Sequence, residues 1–293
     1  MCSSDLSVSK PVETAKLPPM RIVIFSLAIA VSMWAAAAAH AAEPLPLFDA
    51  HIHYSEEAWQ RMSPAEAIAL LRKAGVKRAL VSSNNDDGNQ KLYAEAPDLV
   101  LPSLRTYRTR ADVSTWFRDE AVADYMRERL KKYRYAAIGE FHVFGADADA
   151  PVARQAVQWA RQYKLVLHAH SDIDAVERIF KQDPDARVLW AHSGFERPEK
   201  VREMLRKHKN LWADLAFRNV HGAGGRLDPD WMAAMLEFPG RFMVGTDTYT
   251  AERWHYVVEH AQWSRTWMAD LPLDVAEKIA HRNGDALFDG VMK

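Results

Sequence analysis

The amino-acid sequence predicts an α/β protein, a single (β/α)8 barrel of the TIM type behind an N-terminal signal peptide. Three observations carry this expectation. From residue 46 onward, short apolar runs of β type alternate with longer amphipathic runs, the pattern of parallel strands joined by helices. Eight such runs occur, with starts roughly 20–35 residues apart, too close for extra domains and right for βα units. The runs are continuously apolar rather than strictly alternating, as in strands buried on both faces.

The chain opens with residues 1–19, a polar stretch read as a long leader or as a start placed ahead of Met20. From Met20 it reads "MRIVIFSLAIAVSMWAAAAAHAAEP": one Arg, an apolar run, then small residues ending in Ala39-His40-Ala41. This is the three-part pattern of a secretory signal peptide cleaved after Ala41, dividing the chain into a leader (1–41) and a barrel domain (42–293). The apolar run is near spanning length, but its Ala-rich second half is too weakly apolar to make a stable anchor.

Strands are then expected at 46–53 (PLFDAHIH), 78–83 (RALVSS), 99–107 (LVLPSLRTY), 135–144 (YAAIGEFHVF), 165–170 (LVLHAH), 187–194 (RVLWAHSG), 211–217 (LWADLAF) and 241–248 (RFMVGTDT). Helical patterns lie between them. "SPAEAIALLRKAG" has a Ser63 cap ahead of Pro64 and Glu66 and a closing Gly75, the signature of a capping box. The second unit is the weakest, because "NNDDGNQKLYAEAPD" offers only a short helix. An open doubly wound sheet would show the same alternation but brings a Gly-rich phosphate turn after its first strand, and this chain has none there.

The formal net charge is −1, without the basic excess of a nucleic-acid binder, so the expected partner is a small-molecule substrate. The single cysteine, Cys2, lies within residues 1–41, ahead of Met20. A mature chain without cysteine suits an oxidising compartment, the periplasm or the exterior. Nothing in the sequence speaks to oligomeric state.

The chemistry-bearing residues gather at the expected strand ends. "LFDAHIHYS" places Asp49, His51 and His53 at every second position, which in a regular strand puts all three on one face. Strand 4 ends with Glu140 and His142, strand 5 with His168 and His170, strand 6 with His192 and strand 8 with Asp247. Barrel active sites sit at these ends. Buried ionisable groups are costly unless paired or bound to a metal, so imidazoles and carboxylates from five strands on one rim point to a divalent ion.

At these residues the sequence resembles a known family. "DAHIH", His168 in "VLHAH", His192 in "WAHSG" and Asp247 in "VGTDT", in that order, look like the metal-dependent hydrolases of the amidohydrolase superfamily, in its amidohydrolase-related branch. "IAHRNGDALF" (279–288) is similar to the family's closing helix around an Asn. The resemblance covers nearly all of 46–293. It implies that His51, His53 and His168 bind metal, that His192 is a ligand or an electrophilic helper, and that Asp247 is a ligand that also shuttles protons. "AIGEF" is also similar to a motif of TatD-like hydrolases, but "FHVFG" departs from that pattern. Glu140 either bridges two ions or hydrogen-bonds a single-metal site.

Other candidates are weighed alongside. His142 and His170 are read as hydrogen-bond donors or substrate contacts rather than ligands. Arg105 and Arg108 either hold a substrate carboxylate or pair with a neighbouring acid. His221 lies on a loop after strand 7, over the rim or in solvent, and Asp214 reads as a structural partner. The expected cofactor is one or two divalent ions, zinc best suited to the His-rich set, with Mn, Co or Fe also compatible. The expected reaction is cleavage of an ester, lactone or amide bond by a metal-activated water. The alternative is the non-oxidative decarboxylation that the same ligand cup supports elsewhere in the branch.

Overall fold

The computed structural model describes residues 44–291. The leader expected over 1–41 lies outside the described residues. Among the described residues, no helix is long and apolar enough to cross a membrane.

Eight parallel strands follow in chain order: β1 (Leu47–His53), β2 (Val76–Ser82), β3 (Val100–Leu104), β4 (Ala137–His142), β5 (Val166–His170), β6 (Arg187–Trp190), β7 (Leu211–Asp214) and β8 (Phe242–Met243). Each hydrogen-bonds its sequence neighbour. The seam between β1 and the chain after β8 is bridged by Ala50 N to Val244 O at 2.9 Å and Asp247 N to His51 O at 2.8 Å. The sheet therefore curls into a nearly closed barrel, with a helix after every strand.

The helix start anticipated at Ser63 forms as a capping box. The Ser63 side chain accepts from Glu66 N, and the Glu66 carboxylate accepts from Ser63 N at 2.8 Å, so two otherwise orphaned donors are satisfied. The doubtful second unit does carry a helix, Asp87–Glu95.

Strand starts match the expectation, but the later strands end sooner than their apolar runs. β6 stops at Trp190 rather than 194, β7 at Asp214 rather than 217, and β8 at Met243 rather than 248. The residues beyond these ends turn away from the ladder to build the rim, so His192 and Asp247 stand on turns past their strands. Both take left-handed backbone, at φ 55° and 51°.

Two layers of apolar side chains hold the barrel. The larger cluster packs the outer strand faces against the helices, with Trp116, Trp190, Trp254 and Trp267 fully buried. A smaller cluster takes inward residues from seven strands, Phe48, Leu80, Leu101, Ala137, Val166, Leu189 and Met243 among them, together with Leu287 and Phe288 of the last helix. Phe288 stacks on Phe48 at 5.6 Å. Asn283 donates to the carbonyls of Pro239 (2.9 Å) and Phe242 (2.8 Å), tying this closing segment to the base of β8. The lower interior is thus packed with apolar side chains, with Arg78 over the Phe48 ring and Arg187 on the Leu287 carbonyl beside them, and the buried imidazoles and carboxylates gather at the other end.

Candidate active site

Two strand irregularities aim the site. Along β1, Asp49 pairs with Ala79 but Ile52 pairs with Val81, so β1 carries one extra residue, a bulge that reverses the inside–outside alternation. Phe48 and Ala50 face the inner cluster, while Leu47, Ile52 and Tyr54 face the outer one. The single shared face expected for Asp49, His51 and His53 is therefore corrected. His51 and His53 turn inward without Asp49, whose carboxylate accepts from His51 N (3.0 Å), Thr246 N (3.1 Å) and Thr246 Oγ1 (2.7 Å). It clamps β1 to the chain after β8. Burial raises its carboxyl to about 6 against those hydrogen bonds. On β4 the extra residue is Glu140 itself, between Gly139 and Phe141.

His51, His53, Glu140 and Asp247 converge at the barrel mouth. His51 Nε2 lies 3.1 Å from His53 Nε2, 3.5 Å from Glu140 Oε1 and 3.8 Å from Asp247 Oδ1. His53 Nε2 lies 3.2 Å from Glu140 Oε2 and 3.3 Å from Asp247 Oδ1. Ligands about 2.1 Å from a tetrahedral ion stand about 3.4 Å apart, so this spacing fits a bound cation. His192 Nε2 joins at 3.3 Å from Glu140 Oε1.

For His51 and His192 the tautomers add to this, whereas His53 Nδ1 faces the donor Arg105 Nη1 at 3.2 Å. His51 Nδ1 lies 3.2 Å from Asp214 Oδ2, and His192 Nδ1 lies 2.9 Å from the Ala216 carbonyl. Both partners only accept, so each imidazole carries its proton on Nδ1. Each Nε2 lone pair then faces the Glu140 carboxylate, which also only accepts. Such an array holds together around positive charge, a proton or a metal. Burial alone would lower His51, yet Glu140, Asp214 and Asp247 hold it well above its ordinary value. Burial would likewise raise Glu140, and His51 brings it well below the usual range. Asp247 falls to about 2 despite burial, through His51 and His53. Donation of the Nδ1–H to a carboxylate or carbonyl partner is how metal-binding histidines are oriented, and the donor set suits a divalent ion.

His168 stands apart from that set. Inward positions of β5 are Val166, His168 and His170, and His168 is the deeper imidazole. Its Nε2 lies 3.0 Å from Asp214 Oδ2, the oxygen that also holds His51. Burial lowers His168 to about 4. Asp214, fully buried at the end of β7, is the hub below the cluster: its other oxygen accepts from His192 N (2.9 Å) and Ala216 N (3.0 Å). One layer higher, His170 Nδ1 lies 2.8 Å from Glu140 Oε1. Sequence reasoning ranked His168 above His170; their two-residue spacing marked both as inward but not which depth meets Glu140.

The remaining candidates resolve plainly. Arg105 pairs with an acid, its Nη2 2.8 Å from Glu140 Oε2 and its Nε on the Glu140 carbonyl at 3.1 Å. Arg108 pairs with Asp112 and Asp119. His221 is neither over the rim nor in solvent: it is buried among Trp231, Trp263 and Trp267. Above the cluster opens a cavity of about 350 Å³, lined by Arg105, Glu140, His142, His170, His192 and Asp247 and walled by Phe195, Phe217 and Tyr249.

No family model matches the chain, and no curated protein matches it. Solved structures do. An uncharacterised TIM-barrel protein from Bordetella bronchiseptica superposes with TM-score 0.56 at 16% identity, covering 85% of this chain and 100% of that one. The chain is a (β/α)8 barrel. A provisionally named 2-pyrone-4,6-dicarboxylic acid hydrolase from Pseudomonas putida matches with TM-score 0.56 at 12% identity over 83% of this chain and 97% of its own. A provisionally named metal-dependent hydrolase from Lactobacillus casei matches with TM-score 0.54 at 12% identity over 83% and 95%. At these identities the likeness establishes the fold, and chemistry must be argued from the side chains.

Proposed function

We propose that this barrel is a metal-dependent hydrolase of the amidohydrolase superfamily, cleaving an ester, lactone or amide bond of a small molecule. The observation that carries the reading is the convergence of His51 Nε2, His53 Nε2, Glu140 and Asp247 Oδ1 at ligand-to-ligand spacing. The names carried by two of the fold neighbours support it. His51, His53, Glu140, Asp247 and His192 are the proposed ligands, with zinc the ion best matched to imidazole. Glu140, between the His51–His53 pair and His192, would hold a single ion or be shared by two. His168 meets His51 on their shared Asp214, and these three groups are close enough to hold an ion as well.

A divalent ion supplies acidified water and a polarised carbonyl. The chain's own groups do the rest. Asp247 accepts the proton of the attacking water and returns it to the leaving group. Its backbone is held by its N–H on the His51 carbonyl and by Arg253, which donates to the carbonyls of Asp247 and Thr246. Arg105 fixes Glu140, and Phe195, Phe217 and Tyr249 shield one side of the bound substrate from water. The leader pattern supports export, with the mature protein periplasmic or secreted.

Elemental analysis of the purified chain, paired with assays on ester, lactone, amide and carboxylated aromatic substrates with and without chelator, tests the reading. We expect one to two ions per chain and hydrolysis that chelation abolishes. If Glu140 bridges, Glu140→Gln loses one of two ions. Chelator-insensitive hydrolysis by a metal-free chain overturns the proposal, and loss of CO2 from the aromatic acids without hydrolysis favours decarboxylation.

A further inference from the structure

A second cavity, of about 720 Å³, opens between the loop after β7, the turn after β8 and the helix Val257–Met268. Phe217 lines both this cavity and the active-site cavity. Its backbone is left-handed at φ 55°, and its ring stays 43% exposed. Further along the wall stand Tyr256, 61% exposed, and Trp263, whose indole N–H is fixed on the Gly222 carbonyl at 3.1 Å. Large aromatic side chains left in water around a concavity mark a ligand surface. The polar anchor of the lining is Arg253. Its Nε and Nη2 donate to the carbonyls of Asp247 and Thr246, while Nη1 makes no hydrogen bond. Among the described residues no carboxylate lies within 4 Å of this half-buried guanidinium; Glu259, the acid of the lining, is exposed and forms no ion pair with it. A guanidinium does not lose its proton in a protein, and a partly desolvated cation without a counter-charge gains from an anion. One fixed cation matches a monoanion.

We propose that the second cavity binds a planar aromatic monocarboxylate, its ring against Phe217, Tyr256 and Trp263 and its carboxylate on Arg253 Nη1, and that this is the end of the substrate remote from the reacting bond. The binding site stands on the cavity itself; its role as a substrate subsite rests on the hydrolase reading. The two cavities flank one turn, for Asp247 lines the first, Thr246 lines the second, and Arg253 holds both their carbonyls. A substrate lying across Phe217 therefore places its reacting bond in one cavity and its aromatic acid in the other. Aromatic rings pack on such walls edge-on or offset, and the charged contact sets which end of the substrate enters.

Binding and kinetics on the zinc-loaded full chain test this, with 2-naphthoate and 2-naphthamide as matched probes. In crystals soaked with 2-naphthoate we expect density between Phe217 and Trp263 with the carboxylate on Arg253. Calorimetry should favour the acid over the amide by about tenfold or more, the usual worth of a hydrogen bond to a charged group. Tyr256→Ala should keep metal content and Tm and weaken the acid by about threefold or more. Among 4-nitrophenyl esters of graded length ending in an aryl carboxylate or the matching carboxamide, the acid should at one length show a KM about tenfold lower at similar kcat, as a contact remote from the reacting bond does. Density at the metal alone, or equal binding of the two probes by the unaltered protein, overturns the site, and neither result depends on a variant that folds. Equal KM values at every length overturn the subsite role. If the probes bind as stated but no ester or amide is hydrolysed, the hydrolase reading fails, and the substrate role with it, while the binding site stands.

Discussion

At the scale of single residues, the proposed chemistry separates groups that would hold a metal from the one that would carry a proton. Asp247→Asn keeps an oxygen on the cluster and leaves His51, His53, Glu140 and His192 in place. Metal content should be largely retained while turnover falls by roughly 10²–10⁴-fold, the usual contribution of a positioned acid–base group. His51→Ala should lose metal and activity together. Near wild-type turnover in the Asn variant on any accepted substrate would show that Asp247 is not the proton carrier. His221 offers a test of stability rather than catalysis. Both its ring nitrogens lack partners, and burial, with Arg218 nearby, brings it down to about 3 from an ordinary 6.5. The folded protein keeps it neutral where the unfolded chain protonates it. Its contribution is therefore intact above pH 6.5 and is withdrawn as pH falls toward 3, by up to roughly 1.4 kcal/mol per pH unit. His221→Leu should flatten the decline of Tm between pH 6.5 and 4.5; parallel profiles for the two proteins would refute this.

At the scale of elements, bulges and left-handed turns do the aiming. One extra residue in β1 turns His51 and His53 inward, and one in β4 places Glu140. After β6, four consecutive residues, His192, Ser193, Gly194 and Phe195, have φ between 51° and 64°. Left-handed backbone costs roughly 1–2 kcal/mol for each non-glycine residue. Arg218 offsets that cost by donating to the carbonyls of His192 (2.8 Å) and Glu196 (2.7 Å), as does Ser193 Oγ on the Asp214 carbonyl (2.8 Å). A Cβ at Gly194 would sit 2.1 Å from the Trp190 ring, and Trp190 is itself pinned by its indole N–H on the Ser171 carbonyl (2.7 Å). Gly194→Ala should therefore lower stability by about 2–4 kcal/mol and shift His192, with weaker metal retention. An unchanged Tm would mean that Trp190 moves freely and that the turn is not tightly built.

At the scale of the whole molecule, residues 44–291 contain the complete barrel, with its own inner and outer cores. A chain beginning at residue 42 should fold cooperatively and load metal. The "AAAAAHAAEP" boundary predicts that protein recovered from native cells begins near residue 42 by mass spectrometry. An intact leader in a membrane fraction would refute cleavage.

The architecture and the cast of the site are legible along the chain: eight apolar runs at βα spacing, and imidazoles and carboxylates at their ends. Both are written in local pattern, because burial on two faces demands continuous apolar runs and a polar group at such a run's end needs a partner. Which of these side chains meet is a matter of the three-dimensional fold. A bulge is a two-strand property, visible only as a register shift, so the parting of Asp49 from His51 and His53 had no local signal. The depth of His168 against His170, the reach of Tyr107 to His142 and the gathering of His51, His168 and His192 on Asp214 join residues from separate strands. Barrel closure fixes those distances, and no spacing along the chain encodes them.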